Sequence, residues 1–171
     1  MRAQNDSQAI AAYLIKHHID GELVAPGCDM PTVSLAAAAL GVRPEVVVKS
    51  IVFEGRQVEC VALAIVSGNM RVDPTKVAAS LRLPPLRLAR PEVVRQQTGY
   101  EIGGVPPIAH AEPLLVVVDR QVLEHNIVFG AGGDERHMLR ISPHDIVRIT
   151  GALVAEIVSP PKDAVESRGT S

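Results

Sequence analysis

Residues 49 to 66 read KSIVFEGRQVECVALAIV, two stretches rich in Val and Ile broken at GR. β-branched residues on either side of a short Gly-containing break predict two antiparallel strands, so the chain must build a sheet. Lys49 is the odd residue in it. If side chains alternate from there, Lys49, Ile51 and Phe53 share one face while Ser50 and Val52 share the other, so a cation points the way two large apolar groups do. A lysine among apolar groups either carries its ammonium out to water on its flexible stem or meets an anion. Taken alone, the first is the simpler reading.

The rest of the chain supplies helices around that sheet. SQAIAAYLIKHHI, residues 7 to 19, places Ile10, Leu14 and Ile15 on one helical face, with Asp6 or Ser7 as cap. VSLAAAALG reads as a second helix begun near Thr32 or Ser34 and stopped at Gly41, and PEVVV adds a turn begun by Pro44. Asp73 caps PTKVAASL, and PEVVRQQTG has proline first and glycine last. LLVVV, IVF and HMLRI are further strands, with DRQVLEHN a brief turn or helix. Ser142 and Asp145 have capping-box spacing before the helix of ISPHDIVRITG. ALVAEIV is a last strand. Strands outnumber helices and several are joined by short turns, so the fold class is α/β of the α+β kind: a mixed, mainly antiparallel sheet surrounded by helices.

The 171 residues suit one domain, expected over residues 1–158, with a flexible tail over 159–171. Only two Phe, two Tyr and no Trp are present, so aromatic stacking on several bases is excluded as a binding mode. A formal charge of −2 likewise excludes coating nucleic acid by bulk electrostatics. No apolar run reaches the roughly 20 residues that span a bilayer. A cytoplasmic protein without a membrane partner is expected, with Cys28 and Cys60 as reduced thiols.

Three further patterns are candidate sites. GGVPP, Gly103 to Pro107, removes two backbone donors at Pro106 and Pro107 and holds Val105 extended. Such a loop shows carbonyls that could fix a water or hydroxyl, or else is a stiff connection. GAGG, Gly130 to Gly133, could present N–H groups to a phosphate or ribose, or else turn a hairpin. It lacks the GK[ST] of a P-loop and the GxGxxG of a dinucleotide site. His137 begins the strand after it and could face a cleft. The six histidines show no HExxH spacing, so no metal and no cofactor are expected. There is no GxSxG elbow, and Cys28 in a Pro and Gly loop is a poor nucleophile candidate.

In their order, LGVRPEVVVKSIVF, the hairpin, SGNMRVDPTKVAASL, LARPEVVRQQTGYEIGGVPPIAH, GAGG and LRISPHDIVRITGA resemble the YbaK/ProX family of aminoacyl-tRNA deacylases. That family includes the editing domain inserted in bacterial prolyl-tRNA synthetases. The resemblance covers about residues 5 to 158 and implies a barrel-like mixed sheet and metal-independent hydrolysis of the ester of a mischarged tRNA. It implies that Lys49 engages the phosphate and ribose of the terminal adenosine. Gly103, Gly104 and Pro107 then position the ester and the attacking water. Val105, Gly130 and Gly132 line the same pocket, Ser50 gives a hydroxyl where relatives have threonine, and His137 adds a further contact. The implied partners are the 3′ acceptor end of a mischarged tRNA, with tRNA for proline foremost, and a prolyl-tRNA synthetase. The expected state is a monomer or weak homodimer. The amino acid removed stays open, and so does a rival reading in which the domain binds an acceptor end or a synthetase without hydrolysis.

Overall fold

The computed structural model describes residues 3–159, with side chains from residue 6 onward. The expected tail over 159–171 therefore lies almost wholly outside the described residues. Chain order is α1 (Ala3–Lys16), β1 (Gly21–Val24), α2 (Val33–Leu40), β2 (Val48–Gly55), β3 (Val61–Ser67), β4 (Arg71–Val72), α3 (Pro74–Leu81), β5 (Leu86–Leu88) and α4 (Pro91–Thr98). Then follow β6 (Leu115–Asp119), β7 (Val128–Ala131), β8 (Met138–Ile141), α5 (Pro143–Thr150), β9 (Leu153–Ala155) and β10 (Val158–Ser159). Short 3₁₀ turns fill Pro44–Val46 and Arg120–Glu124, where the sequence predicts a turn or brief helix.

The expected hairpin is β2 and β3, paired antiparallel from Val48↔Ser67 to Glu54↔Val61, with the turn running over 56–60 rather than GR alone. It is the centre of a five-stranded sheet in the order β5-β2-β3-β6-β9, antiparallel on the β5 side and parallel on the β6 and β9 side. A second antiparallel sheet has the order β1-β8-β7, and β4 pairs with β10. The mixed sheet is as expected, but its strands are shared among three sheets and do not close into a barrel. One face of the large sheet carries Val48, Val52, Leu63 and Ile65 into a core with Ile10, Leu14 and Ile146. The opposite face carries Phe53, Ala64 and Val66 against Val77 of α3.

Several local expectations hold, each with its physical cause visible. Thr32 Oγ1 accepts from Leu35 N at 3.2 Å, and Asp73 Oδ1 accepts from Thr75 N at 2.9 Å, so α2 and α3 start at side-chain caps. Ser142 caps α5 through His144 N, while Asp145 completes no capping box and pairs instead with Arg148 at 3.0 Å. Helix α1 begins earlier than predicted, placing Asp6 and Ser7 inside it, and Ile15 is 77% exposed. Ile15 follows Ile10 by five residues, which turns it about 140° away from the buried stripe. Strands β1, β4 and β5 were not legible, being short and set among Gly and Pro, and ALVAEIV divides into β9 and β10.

Glu54 is a buried carboxylate on β2. Its Oε1 accepts from Arg87 Nε at 2.8 Å and Arg90 Nε at 3.1 Å. Burial alone would raise its pKa, but the two guanidiniums outweigh that and hold it below the usual carboxylate value. A depressed folded pKa means this stabilisation is complete above the unfolded value near about 4.3 and is lost as pH falls through the lower folded value. Denaturant titrations at pH 7 and pH 3 are therefore expected to show wild type losing more stability on acidification than Glu54→Gln. Equal losses would refute the linkage.

Candidate functional site

A cleft of about 360 Å³ runs beside β2. Its floor is Val47–Val52; Met30, Val33 and Ala36 form one wall, and Leu88, Ala89, Val94, Gly103 and Val105 the other. This is the low end of small-ligand site volumes, with room for one small group but not for folded nucleic acid.

Lys49 lies on the face of Ile51 and Phe53, as alternation predicts, and is half-buried at the cleft. Its Nζ donates to Met70 O at 3.0 Å, a carbonyl in the turn after β3. Desolvation lowers its pKa. An anion bound beside the ammonium would reverse that shift. Ser50 also lines the cleft, and its Oγ is buried with no hydrogen-bond partner among the described residues. Unpaired buried hydroxyls are rare enough to require an explanation.

Only part of GGVPP reaches the cleft. Gly103 and Val105 line it, whereas Gly104, Pro106 and Pro107 are buried behind. The loop is braced there by side chains the sequence did not single out. His110 Nε2 donates to Pro106 O at 2.7 Å, and Tyr100 OH donates to Ala109 O at 2.9 Å. Since a carbonyl only accepts, the bond requires the proton on Nε2. Burial lowers the pKa of His110 against the raising effect of that bond and so favours the neutral ring. His110 stands four residues after Pro106, a spacing that could have suggested a loop-closing side chain.

GAGG forms the turn end of the β7–β8 hairpin, and the N–H groups of its last two glycines are committed internally. Gly132 N donates to His137 O at 2.9 Å and Gly133 N donates to Gly104 O at 3.1 Å. For Gly132 and Gly133 the hairpin reading therefore holds in place of the phosphate cradle. Gly130 and Gly132 are buried outside the cleft lining, where Ala131 is the contributor. His137 is turned to Asp134, with Nδ1 at 2.8 Å from Oδ1, so it lies outside the cleft lining too. What the structure does bring together are the two glycine segments. A Cβ on Gly104 would stand 2.8 Å from Gly133 O, and one on Gly130 2.8 Å from Pro107 Cδ.

That fit makes a prediction. Gly104→Ala must part the two backbones and is expected to destabilise by about 1–3 kcal/mol. Gly103→Ala meets nothing within 4 Å but holds φ +90°, so backbone strain alone should destabilise it by about 1–2 kcal/mol. Chemical denaturation measures both. A Gly104→Ala protein as stable as wild type would show that the loops are not locked.

The walls contributed by α2, β5 and α4 carry no local signal in the sequence, being Met, Val, Ala and Leu like any core. Only the fold sets them around Lys49.

Comparison with known proteins adds to this geometry. Residues 28–149 match the aminoacyl-tRNA editing domain family, a span containing β2, the cleft walls and both glycine segments. A proline–tRNA ligase of Desulfitobacterium hafniense is 33% identical over 138 residues, covering 78% of this chain and 24% of the ligase. The chain thus spans about a quarter of that enzyme's length. The uncharacterized protein YwhH of Bacillus subtilis is 30% identical over 115 residues, 67% of this chain and 72% of YwhH. A crystal structure described as a candidate trans-editing enzyme for prolyl-tRNA synthetase superposes with a TM-score of 0.81 at 34% identity, covering 90% of this chain and 97% of the other. With the match reaching over most of its length and through every wall of the cleft, the chain belongs to the aminoacyl-tRNA editing domain family.

Proposed function

We propose that this protein is a trans-editing deacylase that hydrolyses the ester of a mischarged tRNA, with tRNA for proline as its carrier. The observation that carries the reading is that Lys49 and the GGVPP loop, at Gly103 and Val105, line one mainly apolar cleft. A lone cation in such a place suits the terminal phosphate and ribose of an acceptor end. It gives local binding without the basic surface that the net charge of −2 denies. The carrier is inferred from the proline–tRNA ligase and trans-editing relatives.

The reaction asks little of the protein beyond placement. The oxygen of a water bonds to the ester carbonyl carbon, and the bond from that carbon to the ribose oxygen breaks. One water proton goes to the departing ribose oxygen and the other to solvent. Because an ester is already labile, fixing water, carbonyl and ribose in reactive geometry can supply much of the acceleration. Gly103, Gly104 and Pro107 shape the loop that does so; Ser50 and Val105 contact the aminoacyl group. Gly130 and Gly132 act from behind, by letting β7 lie close against the loop. We include no contact with His137 in this reading, because it lies outside the cleft lining with its Nδ1 held by Asp134.

The test is deacylation by the purified protein on a panel of tRNAs charged with the wrong amino acid. Turnover on at least one mischarged tRNA, with proline on its own tRNA spared, is the expected result. Binding of the acceptor end without turnover on any substrate would replace the enzyme by a recognition module. A prolyl-tRNA synthetase partner is tested in the same assay by adding the synthetase.

A further inference from the structure

We propose that the backbone N–H and C=O of Ser50 form a one-residue slot in the sheet, into which the aminoacyl group pairs as if it were a single strand residue. This rests on the deacylase reading above and concerns how the same cleft recognises its substrate.

Residues of a strand turn their backbone groups alternately to the two neighbouring strands. On β2 that phase is fixed from both sides. Gly68 N donates to Val47 O and Gly55 N donates to Cys60 O, so odd-numbered residues turn toward β3. Ala89 N donates to Val52 O at 3.0 Å, so even-numbered residues turn toward β5. Ser50 therefore faces the β5 side, but β5 does not reach it. The register Glu54↔Arg87 would put position 91 opposite Ser50, and Pro91 has no N–H and begins α4. At the other end, a parallel bridge between Val47 and Phe129 occupies the start of β2. Between that bridge and the Ala89–Val52 bond, Ser50 is the residue whose N–H and C=O both lack a backbone partner among the described residues, with the Val52 N–H open beside it, and Ser50 lies on the cleft.

A donor and an acceptor at strand spacing match an α-amino ester. Two antiparallel residues in a hydrogen-bonded pair exchange both N–H···O bonds. Ser50 N–H donates to the ester carbonyl oxygen, and Ser50 C=O accepts from the α-ammonium. The first bond is aimed at the atom that gains negative charge as water attacks, where a fixed donor is most effective. The second is charge-assisted when the donor is a free ammonium, which a peptidyl or formylated tRNA lacks. Directly opposed residues share a face. The substrate side chain then lies on the face of Ser50 and Val52, toward Val94 and Val105, which suits an aliphatic group.

The experiment titrates 3′-(L-alanylamino)-3′-deoxyadenosine, an amide that cannot be hydrolysed like the ester, into the full ¹⁵N-labelled chain. The Ser50 amide is expected to shift and its hydrogen exchange to slow by about tenfold or more, while Lys49 and Ile51, already in the ladder with β3, exchange as before. The propionyl analogue, which lacks the amine, should bind about tenfold more weakly. Shifts at Gly103 and Val105 with Ser50 unmoved would overturn the slot and leave the deacylase reading standing. No shift at any cleft amide would overturn both. Ser50→Pro removes the N–H at an open edge, where strands tolerate proline, and should lower kcat/KM by about 100-fold. A folded Ser50→Pro protein with wild-type turnover would also refute the slot.

Discussion

Replacing Lys49 by alanine is expected to lower kcat/KM for deacylation by about 100-fold while leaving the fold intact, in the range seen when one positioned polar group is removed from a reacting centre. The fold should survive because the ammonium is half-buried and its hydrogen bond goes to one turn carbonyl, Met70 O. No ion pair of the core depends on it among the described residues. The form of the loss is informative. If the ammonium holds the phosphate equally in the bound substrate and the transition state, KM rises and kcat is kept. If it is needed to bring the ester into line with the loop, kcat falls. Lys49→Arg keeps the charge but replaces a compact ammonium with a wide fork, so it should recover only part of the activity. Wild-type turnover by Lys49→Ala, measured on the substrate the panel identifies, would remove Lys49 from the site.

The largest loss of stability is expected at Asp119, which has no part in the cleft. It is 1% exposed at the end of β6, and its two carboxylate oxygens serve two backbone donors, Gln121 N at 3.1 Å and Ile157 N at 2.9 Å. The second bond matters more, because Ile157 is fully buried and links β9 to β10. Ile157 O in turn accepts from Asp73 N at 2.8 Å, so the carboxylate fixes a segment that also positions the cap of α3. Asp119→Ala strands two donors, one of them beyond reach of water, and should destabilise by about 3 kcal/mol. For a chain of this size that is a fall in Tm of roughly 6–12 °C. Asp119→Asn keeps an acceptor and should lose less. A change in Tm below about 2 °C for the alanine variant would show that the segment is held by packing alone.

Neither residue was equally visible beforehand. Lys49 was a candidate because a cation interrupts an apolar strand, and the structure places it on the face that alternation assigns. Asp119 was passed over as the first residue of a turn, since nothing local says that Ile157, distant in sequence, will need its oxygen. The glycine segments divide in the same way. GGVPP was recognisable as a rigid loop from its prolines. That Gly133 N would bond Gly104 O, turning GAGG from a ligand cradle into a brace, depended on two loops meeting. His137 stands outside the cleft lining because Asp134, three residues earlier, holds its Nδ1. Strand β5 escaped notice for a physical reason: three residues between prolines have too little pattern to declare a strand, and their pairing is decided by β2.

What the amino-acid order determined by itself was everything governed by neighbours in the chain: the β2–β3 hairpin, the caps at Thr32, Asp73 and Ser142, the proline-begun helices, and the face on which Lys49 stands. Those follow from backbone sterics and from hydrogen bonds that span a few residues. The tertiary structure decided the rest, because a cleft wall is defined by what lies across from it. Met30 from the loop before α2 and Val33 from α2, with Val94 from α4, became walls only when packed beside β2. Ser50, read as the donor of a hydroxyl, became an open backbone position only when Pro91 ended the neighbouring strand one pair too soon.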